Sequence, residues 1–410
     1  MNEKNIIVGL DVGTTKVCTV VGVQQANGLE IIGIGSHPSY GLKKGSVVNI
    51  DKTIQSIRAS LEEAKLMAGV NITQATIGIA GGHIYSFNSS GVVAIKGPEI
   101  TQEDIARVLE AAKAVVIPSD REIIHVIPQE FRVDNIDGIK NPLGMCGVRL
   151  EAHVHIVTGS VALIQNLIKC VEQAQVMAEH VTLQPIASST AVLTNEEREM
   201  GVVLVDIGGG TTDVAVWKSG NLIHSQIIPV GGNHFTNDLA VALKIPHAEA
   251  ERVKINHGSV LGETINQSSH ITVQGLGPKS REVPLSLVAE VLGARAEELI
   301  GLIWHEIQER NLLHEISGGL VLTGGGAMIK GLPELTEYIT GHPSKIGYPR
   351  PFGGMTSIMQ NPKFSTVLGL LLEANQRHVP ERVETPIRAN SKDLITRLSD
   401  SLKSVFKEIF

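Results

Sequence analysis

The sequence is poor in cysteine and in aromatic residues. Its three cysteines, Cys18, Cys146 and Cys170, are far apart in a chain of 410 residues and form no CxxC motif, which argues against a disulfide framework. Aromatic residues make up 3% of the chain, so its core must be built from Val, Ile, Leu and Ala. The net charge of −7 argues against a nucleic-acid partner held by general electrostatics.

Long apolar runs are also missing. No segment reaches the roughly 18 uninterrupted apolar residues that indicate a transmembrane helix. The N-terminal apolar run ends at Asp11, too early for a signal peptide. We therefore expect a cytosolic protein, unless it is attached to a membrane in another way. The P-loop pattern GxxxxGK[ST] is absent too, which excludes a P-loop nucleotide site. The length of 410 residues favours two or more domains.

Glycine is abundant, with 42 residues placed mostly between strand-like runs. Residues 6–10, 17–23 and 29–34 have the pattern of three strands, and apolar spacing predicts a helix over 51–69. VVLVDI, DVAVW and NLIHSQIIPV repeat the three strands, with a helix from about Thr236. DVGTTK follows the first strand of one copy and DIGGGTTD that of the other, 195 residues later. This repeat predicts a duplicated domain.

The two Gly/Thr turns have the composition of a polyphosphate site. Backbone N–H groups approach phosphate closely where no side chain intervenes, and Thr hydroxyls add donors. Asp11 and Asp206 would repel phosphate unless a hydrated Mg²⁺ lay between. Two tight hairpins without a ligand are the alternative, which the repeated acid disfavours. The candidate residues are Asp11 and Asp206 for the metal, and Gly13, Thr14, Thr15, Lys16, Gly208, Gly209, Gly210, Thr211, Thr212 and Asp213 for the nucleotide.

A third glycine cluster lies in SGGLVLTGGGAMIKGL, residues 317–332. A buried strand is predicted to run into the glycines, followed by a helix. Helix N-termini after glycine turns bind phosphate, and glycine also lets a flat adenine ring lie against the backbone. The candidates here are Gly324, Gly325, Gly326 and Met328.

These segments together resemble a known superfamily. GLDVGTTKV, LQPIASSTAVL, VVLVDIGGGTTDVAVW, GLVLTGGGAMIKGL and FSTVLGLLL are similar, in order and spacing, to the five signature segments of the actin, Hsp70 and sugar-kinase ATPases. The resemblance implies a duplicated, two-lobed α/β fold of the actin-like (ribonuclease H-like) type that binds ATP and Mg²⁺. It also implies adenosine contacts by Glu251 and Lys254 and a phosphate-side turn at Gly231, Gly232 and Asn233.

The position of an insertion separates the branches of this superfamily. A capping-box-like Thr101 and Asp104, an amphipathic helix and two strand-like runs predict a small α+β insert over residues 84–160. An insert at this place resembles the FtsA family of bacterial cell-division proteins. The implied domains are a first lobe (1–83 and 161–198, with part of 364–376), a second lobe (199–233 and 316–376) and its outer subdomain (234–315), followed by a linker (377–393).

The last residues, 394–410, have the pattern of an amphipathic helix. At 100° per residue the apolar side chains fall within an arc of about 160°. Such a helix is typical of a segment that lies in a membrane interface, although a terminal helix docked on its own domain is the alternative. The apolar residues are Leu394, Ile395, Leu398, Leu402, Val405, Phe406, Ile409 and Phe410.

The resemblance implies a partner as well as a function. An FtsA-like protein would form protofilaments with itself at the inner face of the cytoplasmic membrane, anchor the ring protein FtsZ at the division site and meet other division proteins. The FtsZ C-terminal peptide, described as acidic and apolar, predicts a basic surface, for which Arg281 and Arg295 are candidates. ATP hydrolysis is expected to be slow at most. The alternatives are a PilM-like pilus assembly protein and a small-molecule kinase. An Hsp70-like chaperone is not expected, because the residues after position 372 are too few for a substrate-binding domain.

Overall fold

The computed structural model describes residues 6–25, 28–262, 268–275, 280–351, 353–354 and 359–378. The elements of the first half are β1 (Ile6–Val12), β2 (Lys16–Gln25), β3 (Gly28–Pro38), β4 (Leu42–Lys43), β5 (Ser46–Val47), α1 (Ile50–Ala68), β6 (Gln74–Ile79), β7 (Tyr85–Ala94), α2 (Gln102–Lys113), β8 (Arg121–Val133), β9 (Ile136–Ile139), β10 (Arg149–Ser160), α3 (Val161–Gln173), β11 (Met177–Leu183), α4 (Gln184–Val192) and α5 (Asn195–Met200).

The second half continues the alternation of strands and helices. Its elements are β12 (Val202–Ile207), β13 (Thr212–Lys218), β14 (Asn221–Ile228), α6 (Gly232–Leu243), α7 (His247–His257), β15 (His270–Gln274), β16 (Ser280–Pro284), α8 (Leu285–Glu309), β17 (Leu320–Thr323), α9 (Leu332–Thr340), β18 (Ser344–Ile346), β19 (Gly353–Gly354) and α10 (Ser365–His378).

Two sheets of the same topology form the centres of two lobes. The first has the strand order β11-β6-β1-β2-β3-β19, and the second has the order β14-β13-β12-β17-β18. In each sheet three consecutive strands pair antiparallel, and the first of them pairs in parallel with a later strand. Strands β1 and β12 are buried almost throughout, as expected where both faces of a sheet are covered. The duplicated two-lobed α/β fold is confirmed.

Local signals place the ends of several helices. The predicted helix over 51–69 is α1, which begins after Asn49, whose side chain accepts a hydrogen bond from the Lys52 N–H, and ends at Gly69 in the left-handed conformation. Helix α6 begins at Gly232, earlier than predicted from the apolar spacing. After the third glycine cluster a short 3₁₀ turn precedes the helix α9.

The insert is a four-strand sheet with α2 packed across it, in the strand order β7-β10-β8-β9. The capping box of α2 is present: the Thr101 hydroxyl accepts from the Asp104 N–H, and the Asp104 carboxylate accepts from the Thr101 N–H at 2.9 Å. The α+β character is therefore as predicted. Strand β7 was not predicted, because its sequence YSFNSSGVVA mixes serine, asparagine and glycine into the alternation.

The lobes are joined by two crossing helices, α4 and α10, which are formed by the signature segments LQPIASSTAVL and FSTVLGLLL. Apolar side chains of α10 pack in one cluster with residues from both sheets. The crossing is close because Gly369 of α10 faces Ala187 of α4. A Cβ added at Gly369 would lie 1.7 Å from the Ala187 carbonyl oxygen. Only glycine fits here without moving a helix.

We expect Gly369→Ala to lower the free energy of unfolding by about 1 to 3 kcal/mol, as overpacking in a core does. Gly301→Ala is the matched control, since Gly301 lies within α8 and a Cβ there meets no atom of the described chain within 4 Å. That control should be neutral or stabilising by about 0.4 to 1 kcal/mol. Urea unfolding compares the two. Equal stability of both variants would show that α4 and α10 can separate at little cost.

The C-terminal segment is described only in part. Helix α10 continues to His378, two residues into the segment that the sequence assigns to a linker. The rest of that linker and the amphipathic segment 394–410 lie outside the described residues. Within the described part of the chain, no helix has the length and apolar character needed to cross a membrane.

Candidate nucleotide-binding site

The two Gly/Thr turns have the same backbone geometry. In the first, the Gly13 N–H donates to the Lys16 carbonyl at 3.0 Å, and in the second the Gly208 N–H donates to the Thr211 carbonyl at 2.9 Å. These bonds close the β1–β2 and β12–β13 hairpins at the ends of the two sheets. The sequence repeat is therefore a repeat of structure at this point.

The turns face each other across the cleft between the lobes. A Cβ added at Gly209 would lie 2.2 Å from Cγ2 of Thr15, and one at Gly210 would lie 2.5 Å from Oγ1 of Thr14. Real Cβ atoms are not found so close to their neighbours, so glycine is needed at both positions. The candidate phosphate-binding backbone of one lobe thus lies beside the candidate threonines of the other.

The buried carboxylates at the strand ends are held by the crossing helices. Gln184 of α4 donates through Nε2 to Oδ1 of Asp11 at 3.0 Å. The hydroxyl of Ser188, one turn further along α4, donates to Oδ2 of Asp206, and Thr366 of α10 donates to the same oxygen at 3.0 Å. The sequence interpretation missed these three residues. The spacing of Gln184 and Ser188 by four positions was the available signal.

Burial disfavours the charge of these acids. It raises the pKa of Asp11 to about 6, with a smaller contribution from Asp206. It also raises the pKa of Asp206, against the hydrogen bonds from Ser188 and Thr366. The pKa of Asp213, which pairs with Asp206 across β12 and β13, is raised well above its usual value by burial and by both other carboxylates.

Polar atoms without partners mark the same region. Oδ1 of Asp213 and Nζ of Lys16 are buried, and neither has a hydrogen-bond partner among the described residues. Three buried acids and an unpartnered carboxylate oxygen form an environment that a bound cation would stabilise. No set of three or more His, Cys, Asp or Glu side chains in the described chain is arranged to hold a metal by itself. The buried acids are suited to a cation that takes few ligands from the protein, as Mg²⁺ does.

The turn formed by Gly231, Gly232 and Asn233 packs against the β12–β13 turn. The N–H groups of Gly232 and Asn233 donate to the carbonyls of Gly208 and Gly209, each at 2.8 Å. Lys254 donates to the Gly232 carbonyl at 3.0 Å and also contacts Glu251 at 2.8 Å. Gly231, Gly232, Asn233, Glu251 and Lys254 therefore lie together beside the β12–β13 turn.

The third glycine cluster, which contains Gly324, Gly325 and Gly326, lies against the end of β12. Gly324 has a φ of +84°, and a Cβ there would lie 2.3 Å from Oδ1 of Asp206. A Cβ at Gly326 would lie 2.4 Å from Cγ2 of Ile207, while Met328 is half-exposed nearby in the 3₁₀ turn. The structure thus gathers these predicted residues at one end of the second sheet.

The two candidate peptide-binding arginines lie in the outer subdomain. Arg281 is exposed on β16, and Arg295 of α8 lines a groove of about 480 Å³ between α6 and α8. Arg295 is paired with Asp238 at 2.5 Å and with Glu298. Glu290 lines the groove as well. The groove carries three carboxylates and one guanidinium, unlike the basic surface that the sequence predicts.

Two lobes of matching topology, with an acid at the end of the first strand of each and glycine turns facing across the cleft, define an actin-like ATPase fold. Solved structures agree. The PilM–PilN type IV pilus biogenesis complex matches with a TM-score of 0.66 and 16% identity, covering 90% of this chain and 98% of that chain. MreB5 of Spiroplasma citri bound to ADP matches with a TM-score of 0.55 and 16% identity, covering 91% and 95%. At such identities these structures show the fold alone.

Sequence relatives are more specific. The family model "SHS2 domain inserted in FTSA" matches residues 81–158, and the model "Cell division protein FtsA" matches residues 203–369. The cell division protein FtsA of Pseudomonas aeruginosa is 45% identical over 374 residues, covering 91% of this chain and 90% of the relative. That of Escherichia coli strain K12 is 36% identical over 415 residues, covering 98% and 99%. The chain therefore belongs to the FtsA family of cell division proteins.

Proposed function

We propose that the chain binds Mg-ATP between its lobes, polymerises on the inner face of the cytoplasmic membrane at the division site, and anchors FtsZ there. The observation that carries the nucleotide part is the pair of facing glycine turns beside three buried carboxylates. Backbone N–H groups of the turns supply donors for phosphate, and Asp11 and Asp206 would hold a hydrated Mg²⁺. Bound cation would offset the burial cost of the acids.

Family membership supports the division-site role and the partners. Self-association into protofilaments, docking of the FtsZ C-terminal peptide and contacts with other division proteins follow as proposals from it. A MamK double helical filament has a similar fold, with a TM-score of 0.52 at 14% identity. The small-molecule kinase is disfavoured by the family, and the PilM-like alternative by relatives that are 36 to 45% identical over most of the chain.

Membrane attachment is assigned to residues 394–410, and liposome sedimentation tests it. The full chain should sediment with vesicles of mixed neutral and anionic lipids, whereas a chain ending at residue 393 should stay in the supernatant. Both should bind Mg-ATP equally, since the assigned nucleotide residues lie between positions 11 and 328. Equal sedimentation of the two chains would contradict the assignment of the anchor.

The peptide site is assigned to the groove between α6 and α8, with Arg281 as a second contact. Apolar side chains such as Val241 and Leu287 line the groove, which suits an apolar peptide segment. A peptide carboxylate would have to displace Asp238 or Glu298 from Arg295. The acids of the groove thus disfavour a peptide that has only acidic side chains. This repulsion would contribute to specificity for a peptide that is apolar as well as acidic.

We expect the double change Arg281→Glu and Arg295→Glu to weaken binding of the FtsZ C-terminal peptide at least tenfold, about 1.4 kcal/mol. The changed side chains would repel peptide carboxylates and crowd the acids of the groove. Fluorescence anisotropy with a labelled peptide measures the affinity. Arg252→Glu, a single charge reversal at a half-exposed arginine that pairs with Glu249 in the same subdomain, is the control. Undiminished binding by the double variant would remove both arginines from the site.

A further inference from the structure

The insert touches the second lobe as well as the first. It is covalently part of the first lobe, since it lies between β6 and α3. Its strands β7 and β8 nevertheless contact β14, the outermost strand of the second sheet in the described chain. The insert therefore bridges the lobes at a place separate from the crossing helices α4 and α10.

Side chains of the insert bond to the backbone of β14. The Ser86 hydroxyl donates to the Ser225 carbonyl at 2.6 Å. Nε2 of Gln129 donates to the Leu222 carbonyl at 3.1 Å, and the Asn221 amide donates in return to the Gln129 carbonyl at 2.6 Å. An edge strand normally offers such groups to water or to another strand. Here side chains of the insert, which belongs to the first lobe, donate hydrogen bonds to the carbonyl groups of this edge strand of the second lobe.

A buried histidine completes the contact. The Ser225 hydroxyl lies 3.0 Å from Nε2 of His155, and Nδ1 of His155 lies 2.7 Å from Oδ1 of Asn88. The Asn88 amide donates to the Ile223 carbonyl at 3.3 Å. An amide oxygen only accepts, so Nδ1 carries the proton and Nε2 accepts from the serine. Burial lowers the pKa of His155 to about 3, which agrees with a neutral ring.

The hydrogen bonds form one directed network, which we call the insert latch: Ser86, Asn88, Gln129 and His155 of the insert with Asn221 and Ser225 of β14. Ser86, His155 and Ser225 are buried, Gln129 and Asn221 are partly buried, and Asn88 is exposed. In the buried part of the network, losing one partner leaves the others unpaired. Lys140 and Glu199 add an exposed ion pair at 2.8 Å, which contributes little. The latch thus favours one orientation of the insert on the second lobe.

If the lobes rotate about the crossing of α4 and α10, the distance across any other contact between the lobes changes. The contact between the insert and β14 is one such contact. We propose that the insert latch fixes the relative orientation of the lobes, so that a partner which pulls the insert away from β14 opens the nucleotide cleft. The part of this inference that concerns the cleft rests on the proposed nucleotide binding. The part that concerns the orientation of the lobes does not.

Spin labels measure the orientation without nucleotide. Cys146 is exposed on the insert, while Cys18 and Cys170 are buried, so one added cysteine at the exposed Tyr338 of α9 gives a labelled pair across the lobes. In the Tyr338→Cys background, Asn88→Ala with Gln129→Ala should broaden the distance distribution or add a second distance. The control, Gln102→Ala with Asn141→Ala, changes the same residue types within the insert and should leave one narrow distribution. Identical distributions in both would overturn the latch.

Nucleotide release tests the coupling. A fluorescent ATP analogue with Mg²⁺ should dissociate at least tenfold faster from the latch variant than from the control variant. Broadened distances with unchanged release would refute the coupling to the cleft. If even the unaltered chain binds no analogue, the proposed nucleotide binding is wrong, and the distances alone decide the latch. Ser86→Ala, which removes one hydrogen bond, replaces the double change if that variant does not fold, with the same two readouts.

Discussion

Gly209→Val should weaken Mg-ATP binding at least a hundredfold, about 2.8 kcal/mol of binding free energy. The first carbon of the new side chain would lie 2.2 Å from Cγ2 of Thr15, so the two glycine turns would have to move apart. Turns that have separated cannot both donate their N–H groups to one polyphosphate. Titration calorimetry with Mg-ATP measures the loss.

The control for this change is Gly301→Val on α8, where an added Cβ meets no atom of the described residues within 4 Å. It should leave nucleotide affinity unchanged and should not weaken the helix, because valine is a better helix former than glycine. Asp206→Ala is a companion that leaves the turns in place and removes one proposed metal contact, with an expected loss of at least tenfold. If Gly209→Val and Asp206→Ala both bound Mg-ATP as the unaltered chain does, the facing turns would not be a phosphate site.

Phe406→Glu should release the chain from lipid vesicles. It places a charge within the apolar arc of the segment 394–410. Full burial of a Leu, Ile or Phe side chain contributes roughly 1.5 to 3 kcal/mol, and partial burial at an interface contributes less. Ordering the segment opposes that gain, so a single anchor should bind weakly and reversibly. A filament with many anchors would bind tightly through effective concentration.

Ser404→Glu is the matched control, because Ser404 lies opposite the apolar arc when the segment is wound as a helix. This variant should sediment with vesicles much as the unaltered chain does. Thermal unfolding of Phe406→Glu separates the two interpretations of the segment. A lowered melting temperature of the folded lobes, with lipid binding retained, would mean that the segment docks on its own domain.

Local sequence patterns by themselves determine much of the secondary structure. Alternation and turn residues predicted the strands β1 to β3 and β12 to β14, because a strand and its hairpin are set by neighbouring residues. The repeat of an acid and a glycine turn predicted the duplication. Thr101 and Asp104 predicted the start of α2, since a capping box is complete within four residues.

The tertiary structure decided which side chains meet. Gln184 reaches Asp11 across 173 residues of sequence, and Thr366 reaches Asp206 across 160, so no local pattern contains either contact. The insert latch depends on the register of strands in different sheets: Gln129 and Asn221 are 92 residues apart. Likewise the sequence predicts Arg295 as a candidate peptide contact, and only the fold shows that Asp238 lies beside it. Local backbone preferences act over a few residues, whereas burial and pairing act between residues that only packing brings together.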